Sequence, residues 1–250
     1  MGHMVETCAR KRGHEIVCRI EPTPTLLEGK EIYAPEEGFQ SEAFRSADVA
    51  IEFTTPATAE ANIRKAWEQN VPVVSGSTGW NPEQLKIKNY ELKIKDNKTI
   101  ISDETGKTML VWSSNFSVGV NVFFELNKFL AEQLQAQVQY TPSITETHHI
   151  HKLDKPSGTA KTLAEGLRVM GYGVQDSEIE SIREGEVPGT HEVKWDSDED
   201  TIIITHIAKG REGFALGAVL AAEELKGYGL QVTGYRLQVI GYSENEIIQG

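Results

Sequence analysis

Cysteine is scarce in this chain. Only Cys8 and Cys18 occur among 250 residues. One pair is no disulfide framework and neither has metal-ligand spacing, so a reducing, cytoplasmic setting is expected. Positive charge is also in short supply. Lys and Arg number 25 against 37 Asp and Glu, for a net charge of −12. Such a surface argues against nucleic acid or anionic lipid as a partner, yet leaves room for an anionic small molecule in a local basic pocket. There is no run of about 18 apolar residues, which argues against a spanning helix. Residues 1–6 lack the basic and apolar regions of a signal peptide. What is present is 39% hydrophobic and 25% charged, too apolar for a disordered chain. The length suits one large or two modest domains.

The pattern alternates between strand and helix. A helix is predicted over 3–12 and a strand over 14–20, ending at Glu21. Residues 22–41 read as loop, with three prolines. Residues 48–53 read as a strand and 57–69 as a helix behind Thr54-Thr55-Pro56. Residues 71–75 are a short strand before the glycine turn Gly76-Ser77-Thr78-Gly79, and Pro82 opens a helix to about Lys95. Apolar strands separated by helices are the signature of a parallel sheet covered on both faces. Ligands of such sheets bind at the carboxyl ends of the strands, where Glu21, Thr54–Pro56 and Gly76–Gly79 fall.

Further on, residues 99–112 read as a hairpin and Ser117 to about Leu134 as a long helix. Strands are predicted over 138–149, 179–187, 190–196 and 201–209, and helices over 158–170 and 213–226. The expected architecture is α/β. A Rossmann-like parallel-sheet domain spans 1–115, with 213–250 returning to it. An α+β domain with a mixed or antiparallel sheet spans 116–212. The tail holds a seven-residue near-repeat at Gly227, Gly234 and Gly241. It reads as an edge strand pair or as sequence added by a shifted reading frame, with no function.

The densest chemistry lies in residues 146–160. Three of the 7 histidines, His148, His149 and His151, fall within four residues there. Lys152, Lys155 and a Pro156-Ser157-Gly158-Thr159 turn into a helix follow. A helix start offers unpaired N–H groups and positive potential, which suit a carboxylate or phosphate. Ser157 and Thr159 add hydroxyls, and Gly158 lets a ligand approach the backbone closely. The lysines add cations, and a histidine can move a proton near neutral pH. Ser157 or Thr159 as a plain helix cap remains an alternative. On a strand, His149 and His151 share a face while His148 points away. Two such histidines without a third ligand make a weak metal site, and no metal is expected.

Taken together, these strings resemble the 4-hydroxy-tetrahydrodipicolinate reductase (dihydrodipicolinate reductase) family. The matching residues are Glu146-x-His148-His149-x-x-Lys152-x-Asp154-x-Pro156-Ser157-Gly158-Thr159-Ala160, Gly76–Gly79 and Asn115–Asn121, with Phe53–Pro56 and Val187–His191. The resemblance runs from residue 1 to about 226. It implies NAD(P)H-dependent reduction of a cyclic dicarboxylate imine in lysine and diaminopimelate synthesis. His148 falls at the acid/base position and Lys152 at the proton-donor position. His149, Ser157, Gly158 and Thr159 fall at substrate-binding positions. Met1, Gly2, Glu21, Gly76, Ser77, Thr78, Ser113, Ser114, Asn115 and Phe116 fall at cofactor positions. The family is typically a homotetramer built through its second domain.

Some features depart from the family. Met1-Gly2 matches only the end of its first glycine turn, so the first, central strand is expected to be missing. That would expose neighbouring strand edges, weaken cofactor binding and lower stability. Pro22 follows Glu21 where NADPH users tend to carry Arg, which favours NADH, with Arg19 as an alternative cation. Two other readings stand beside the reductase. One is a non-catalytic dicarboxylate-binding remnant without the dinucleotide site. The other is a metal-dependent hydrolase using His149 and His151.

Overall fold

The structure is a computed structural model that describes residues 1–22, 32–85, 91–95, 98–105, 107–225 and 236–241. It divides into two compact units, Met1–Ser117 with Phe214–Gly250, and Val118–Gly213. Their elements, in chain order, are as follows. The first unit opens with α1 (Gly2–Lys11), β1 (Glu15–Ile20), β2 (Ile32–Tyr33), α2 (Pro35–Gly38), α3 (Glu42–Arg45), β3 (Val49–Phe53), α4 (Pro56–Glu68) and β4 (Val73–Ser75). It continues with β5 (Glu91–Lys95), β6 (Lys98–Ser102) and β7 (Thr108–Ser113). The second unit holds α5 (Val118–Leu134), β8 (Thr141–His148), α6 (Gly158–Val169), β9 (Glu180–Arg183), β10 (Thr190–Asp196) and β11 (Thr201–Ile207). Helix α7 (Glu212–Leu225) and β12 (Arg236–Gly241) complete the described chain.

The first unit is an eight-stranded sheet in the order β2-β1-β12-β3-β4-β7-β6-β5. The first six strands run parallel, and β6 and β5 are antiparallel. Period two sends neighbouring residues to opposite faces, and both faces are covered. Val49, Ile51, Val74 and Val111 pack with Val5 and Ala9 of α1 and with Ala215, Ala218, Val219 and Ala222 of α7. Ala50, Val73 and Leu110 face the other way, onto Ile63, Ala66 and Trp67 of α4. Glu223 ties α7 to the start of the sheet through a bidentate pair with Arg12 (2.6 and 2.7 Å) and a contact with His14 Nε2 (2.8 Å).

Several expectations are corrected here. The slot between β1 and β3 is not open: β12 fills it, in register Leu237↔Val49 to Gly241↔Phe53 on one side and Glu15↔Arg236 to Ile20↔Ile240 on the other. The tail read as functionless or as an edge pair therefore supplies a central strand at 236–241, while residues 226–235 and 242–250 lie outside the described residues. It is short, and its Val239-Ile240 pair is apolar and β-branched, which suits a strand with neighbours on both sides. The helix expected from Pro82 to about Lys95 is a single 3-10 turn, Pro82–Gln84. Residues 91–95 instead pair antiparallel with β6, as the period-two alternation of Glu91-Leu92-Lys93 allows. The loop expected over 22–41 contains β2 and α2, the latter started by Pro35 at its first position; residues 23–31 lie outside the described set.

The second unit is a four-stranded sheet, β11-β10-β8-β9. β10 is antiparallel to both β8 and β11, and β8 pairs parallel with β9. The sheet is therefore mixed. Helices α5 and α6 pack on one face. Phe123 and Phe124 of α5 and Leu163 and Leu167 of α6 meet Ile144, Val193 and Trp195. Asn127 on α5 is 1% exposed, and its Nδ2 donates to the Leu163 carbonyl at 3.1 Å, which binds the two helices across an apolar seam.

Candidate active site

Strand β8 runs into the site. Glu146 and His148 are two residues apart, so their side chains leave the strand on the same face, and both are buried. The strand stops at His148. His149–His151 thus lie beyond it, and the expectation that His149 and His151 share a strand face does not hold. Their rings stand 6.0 Å apart all the same. Beyond the loop, with its cis Lys155–Pro156 bond, Ser157 caps α6 by accepting the Ala160 N–H at 3.2 Å. The Ser157 N–H returns to the Glu146 carboxylate at 3.0 and 3.1 Å. Ser157 is 2% exposed, so its hydroxyl serves the cap and His191 (3.1 Å). Gly158 is exposed, with open space where a Cβ would stand, and Thr159 follows in the first turn.

Three further residues complete this cluster. His191, from β10, places Nε2 3.3 Å from His148 Nε2. Arg183, from β9, bonds Glu146 Oε1 (3.1 Å) and the carbonyls of Lys152 (3.2 Å) and Asp154 (2.6 Å). It thereby fastens the histidine–lysine loop to the strand. Asp154 Oδ1 accepts from Lys152 Nζ at 2.6 Å. Burial works to raise the Glu146 pKa, but hydrogen bonds from His148 and Ser157 outweigh it and hold the carboxyl well below its ordinary value. His191 goes the other way from a cation: burial, then the neighbouring His148, push it down to about 3, so it stays neutral near pH 7. Burial and Arg211 lower His149 as well. Among the described residues, Glu146, His148 and His191 form the group with metal-ligand spacing, rather than the His149–His151 pair. Their carboxylate already carries the Arg183 cation and the Ser157 N–H.

In the first unit, the expected cofactor residues follow the carboxyl ends of parallel strands. Glu21 follows β1, Gly76–Thr78 follow β4, and Ser113–Phe116 close β7. Met1 and Gly2 stand at the start of α1. Gly76 has a packing reason to be glycine: a Cβ there would sit 2.0 Å from the Phe53 ring. Ser113 Oγ bonds the Asn115 backbone on both its N–H (3.2 Å) and carbonyl (2.9 Å) sides, and Asn115 Oδ1 accepts the Ser117 N–H at 2.8 Å. Phe116 is buried, and Thr78 is exposed. Glu52, near the carboxyl end of β3, is fully buried and organises these loops. Its carboxylate accepts from the Thr54 N–H (2.7 Å), from Ser77 Oγ (2.8 Å) and from the hydroxyls of Thr54 and Ser75. The sequence carried a signal for it, a carboxylate inside the apolar run Val49–Phe53. These groups fit a dinucleotide: backbone turns and a half-buried carboxylate, Glu21, at the carboxyl edge of a parallel sheet.

The class is therefore an α/β protein of two units. One is a doubly covered parallel sheet of the nucleotide-binding type. The other is a mixed sheet carrying a buried Glu–His–His cluster beside a lysine and a helix that starts at an exposed glycine. The family model for the N-terminus of dihydrodipicolinate reductase matches residues 1–116, and that for its C-terminus matches residues 119–237. The chain belongs to the dihydrodipicolinate reductase family. It is 39% identical over 236 residues to the 4-hydroxy-tetrahydrodipicolinate reductase of Christiangramia forsetii, covering 90% of this chain and 88% of that one. It is 36% identical to the same enzyme of Bdellovibrio bacteriovorus, over 87% and 86% of the two chains. A dipicolinate-bound dihydrodipicolinate reductase from Paenisporosarcina sp. TG-14 shares the fold, with a TM-score of 0.64 at 18% identity over 96% of this chain and 93% of that one.

Proposed function

We propose that this chain is an NAD(P)H-dependent oxidoreductase that reduces 4-hydroxy-tetrahydrodipicolinate to tetrahydrodipicolinate in lysine and diaminopimelate synthesis, acting in the cytoplasm. The observation that carries the reading is the junction of β8 and α6. A buried His148 beside a carboxylate, the Lys152 ammonium and a helix start at the exposed Gly158 all belong to one short stretch of chain. The N–H groups of the α6 start, at Gly158 and Thr159, take a substrate carboxylate, with Ser157 shaping the turn and His149 alongside. The bound nicotinamide supplies the hydride. The 4-hydroxyl leaves as water to give the conjugated imine, and reduction of that imine leaves electron density that must be protonated. Lys152 Nζ donates the proton, and His148 holds or moves one as acid/base. Met1, Gly2, Glu21, Gly76, Ser77, Thr78, Ser113, Ser114, Asn115 and Phe116 hold the dinucleotide.

NADH is the favoured coenzyme. Pro22 offers no cation for a 2′-phosphate, and Arg19 is committed to Glu6. Steady-state oxidation of each coenzyme with freshly generated substrate tests both statements. Turnover with a higher kcat/KM for NADH is expected. A tenfold preference for NADPH would overturn the coenzyme choice, and no turnover with either would overturn the activity.

The chain assembles as a homotetramer through the second unit. Val118, Val122, Leu126 and Phe129 are exposed on α5 at spacings of four, four and three, one face of the helix, while Ile203 and Ile207 are exposed on β11. Phe129→Asp places a charge on that helix face without touching the core. Light scattering is expected to show a smaller particle with unchanged helix content; an intact tetramer would remove this face from the interface.

A further inference from the structure

We propose that His191 is a positioning residue for the reaction, holding the His148 ring and fixing its tautomer with Nε2 protonated. The inference rests on the assignment of His148 above. The His148 ring is gripped from two sides. On one, its Nε2 lies 3.3 Å from His191 Nε2 and 3.4 Å from Glu146 Oε2, with the two rings edge to face at 5.0 Å and 72°. On the other, Gly189 lies against the ring: a Cβ there would come within 2.9 Å of Cε1 and 3.2 Å of Nδ1. Gly189 has φ 152, a conformation that other residues rarely adopt. The segment from Gly189 to His191 is thus a clamp three residues long, and β10 holds its last two residues in register against Thr147 and Glu146 of β8.

The chemistry of the contact decides the tautomer. Two imidazole nitrogens facing each other at 3.3 Å need one proton between them, and two charged rings there would repel. A carboxylate stands beside His148 Nε2 and accepts only, so a proton on that atom has an acceptor on each side. Glu146 itself is anchored by Arg183 and by the Ser157 N–H. His191 is neutral, so its Nε2 presents a lone pair, shared between His148 Nε2 and the Ser157 hydroxyl at 3.1 Å, rather than a second cation. Nδ1 of His148 is then left without a proton, at the ring edge that Gly189 lines. The charged and titratable groups around the pair are Glu146 on β8, Arg183 on β9, His206 on β11, and His149 and Lys152 in the loop. Removing the His191 lone pair takes away one of the two acceptors that hold the His148 proton at Nε2 and frees the ring on that side.

The test compares His191→Leu with His191→Gln in the full chain. Leu keeps bulk without an acceptor; Gln keeps an acceptor but does not titrate. For His191→Leu we expect kcat to fall about tenfold or more with KM for substrate nearly unchanged. His191→Gln should restore part of the rate. Nitrogen-15 NMR of the histidine side chains in the wild type should show His148 protonated at Nε2. This measurement stands even where His191→Leu fails to fold. An Nδ1-protonated His148 in the wild type, or equal losses of kcat in both variants, would overturn the proposal. If His148→Gln itself keeps full turnover, it is the His148 assignment that fails, and the NMR result still reports on the clamp.

Discussion

Lys152→Ala should lower kcat by roughly 10²-fold or more, the usual worth of a positioned proton donor. By transition-state arithmetic a hundredfold loss is about 2.7 kcal/mol of barrier. The loss should appear in kcat as well as in kcat/KM, because the ammonium is needed most once the imine has accepted the hydride. Folding should change little. The Lys152–Asp154 pair lies at the protein surface, and Arg183 continues to hold the loop through the Lys152 and Asp154 carbonyls. Lys152→Arg should recover charge but little turnover, since guanidinium does not give up its proton near pH 7. His148→Gln should lose turnover on the same scale. Stopped-flow and steady-state coenzyme oxidation, set against thermal melting of each variant, check these outcomes. Turnover within about threefold of wild type in both variants would remove His148 and Lys152 from the chemistry.

Val239→Pro is expected to have the largest effect on folding. Val239 is registered against Arg19 of β1 and Ile51 of β3, so it sits in a strand with a neighbour on each side. Proline there removes a ladder donor and brings its ring against the neighbouring backbone, at a cost of about 3 kcal/mol or more. Domains are typically stable by about 5–15 kcal/mol, so such a loss is a large fraction of the whole. The first unit should melt at lower temperature and bind NADH weakly, as judged by fluorescence titration. The second unit has its own core around Trp195 and should keep its structure. A melting curve and NADH affinity equal to wild type would show that residues 236–241 do not form the central strand.

The parts of the fold legible in the sequence are those with local causes. Apolar runs such as Val49–Phe53 and Val73–Ser75, followed by polar turns and helix starts, announce a covered parallel sheet because burial on both faces requires unbroken apolar strands. The Ser157 cap is local too, as is the sharing of one strand face by Glu146 and His148, which two-residue spacing makes necessary. The helix expected after Pro82 failed because its start signal was sound while the residues beyond it had a better partner in β6, which no local window contains.

The sequence by itself determined the class of fold, the helix starts, and the stretch from residue 146 to 160 that carries the histidines, the lysine and the cap. Only the tertiary structure decided that His191 and Arg183 join that stretch, and that residues 236–241 enter the sheet between β1 and β3. The reason is that strand pairing and buried charge are settled between residues distant along the chain. His148 and His191 are 43 positions apart, yet β8 and β10 align them to within 3.3 Å. No propensity or periodicity encodes such a meeting; it exists only once the sheet has closed.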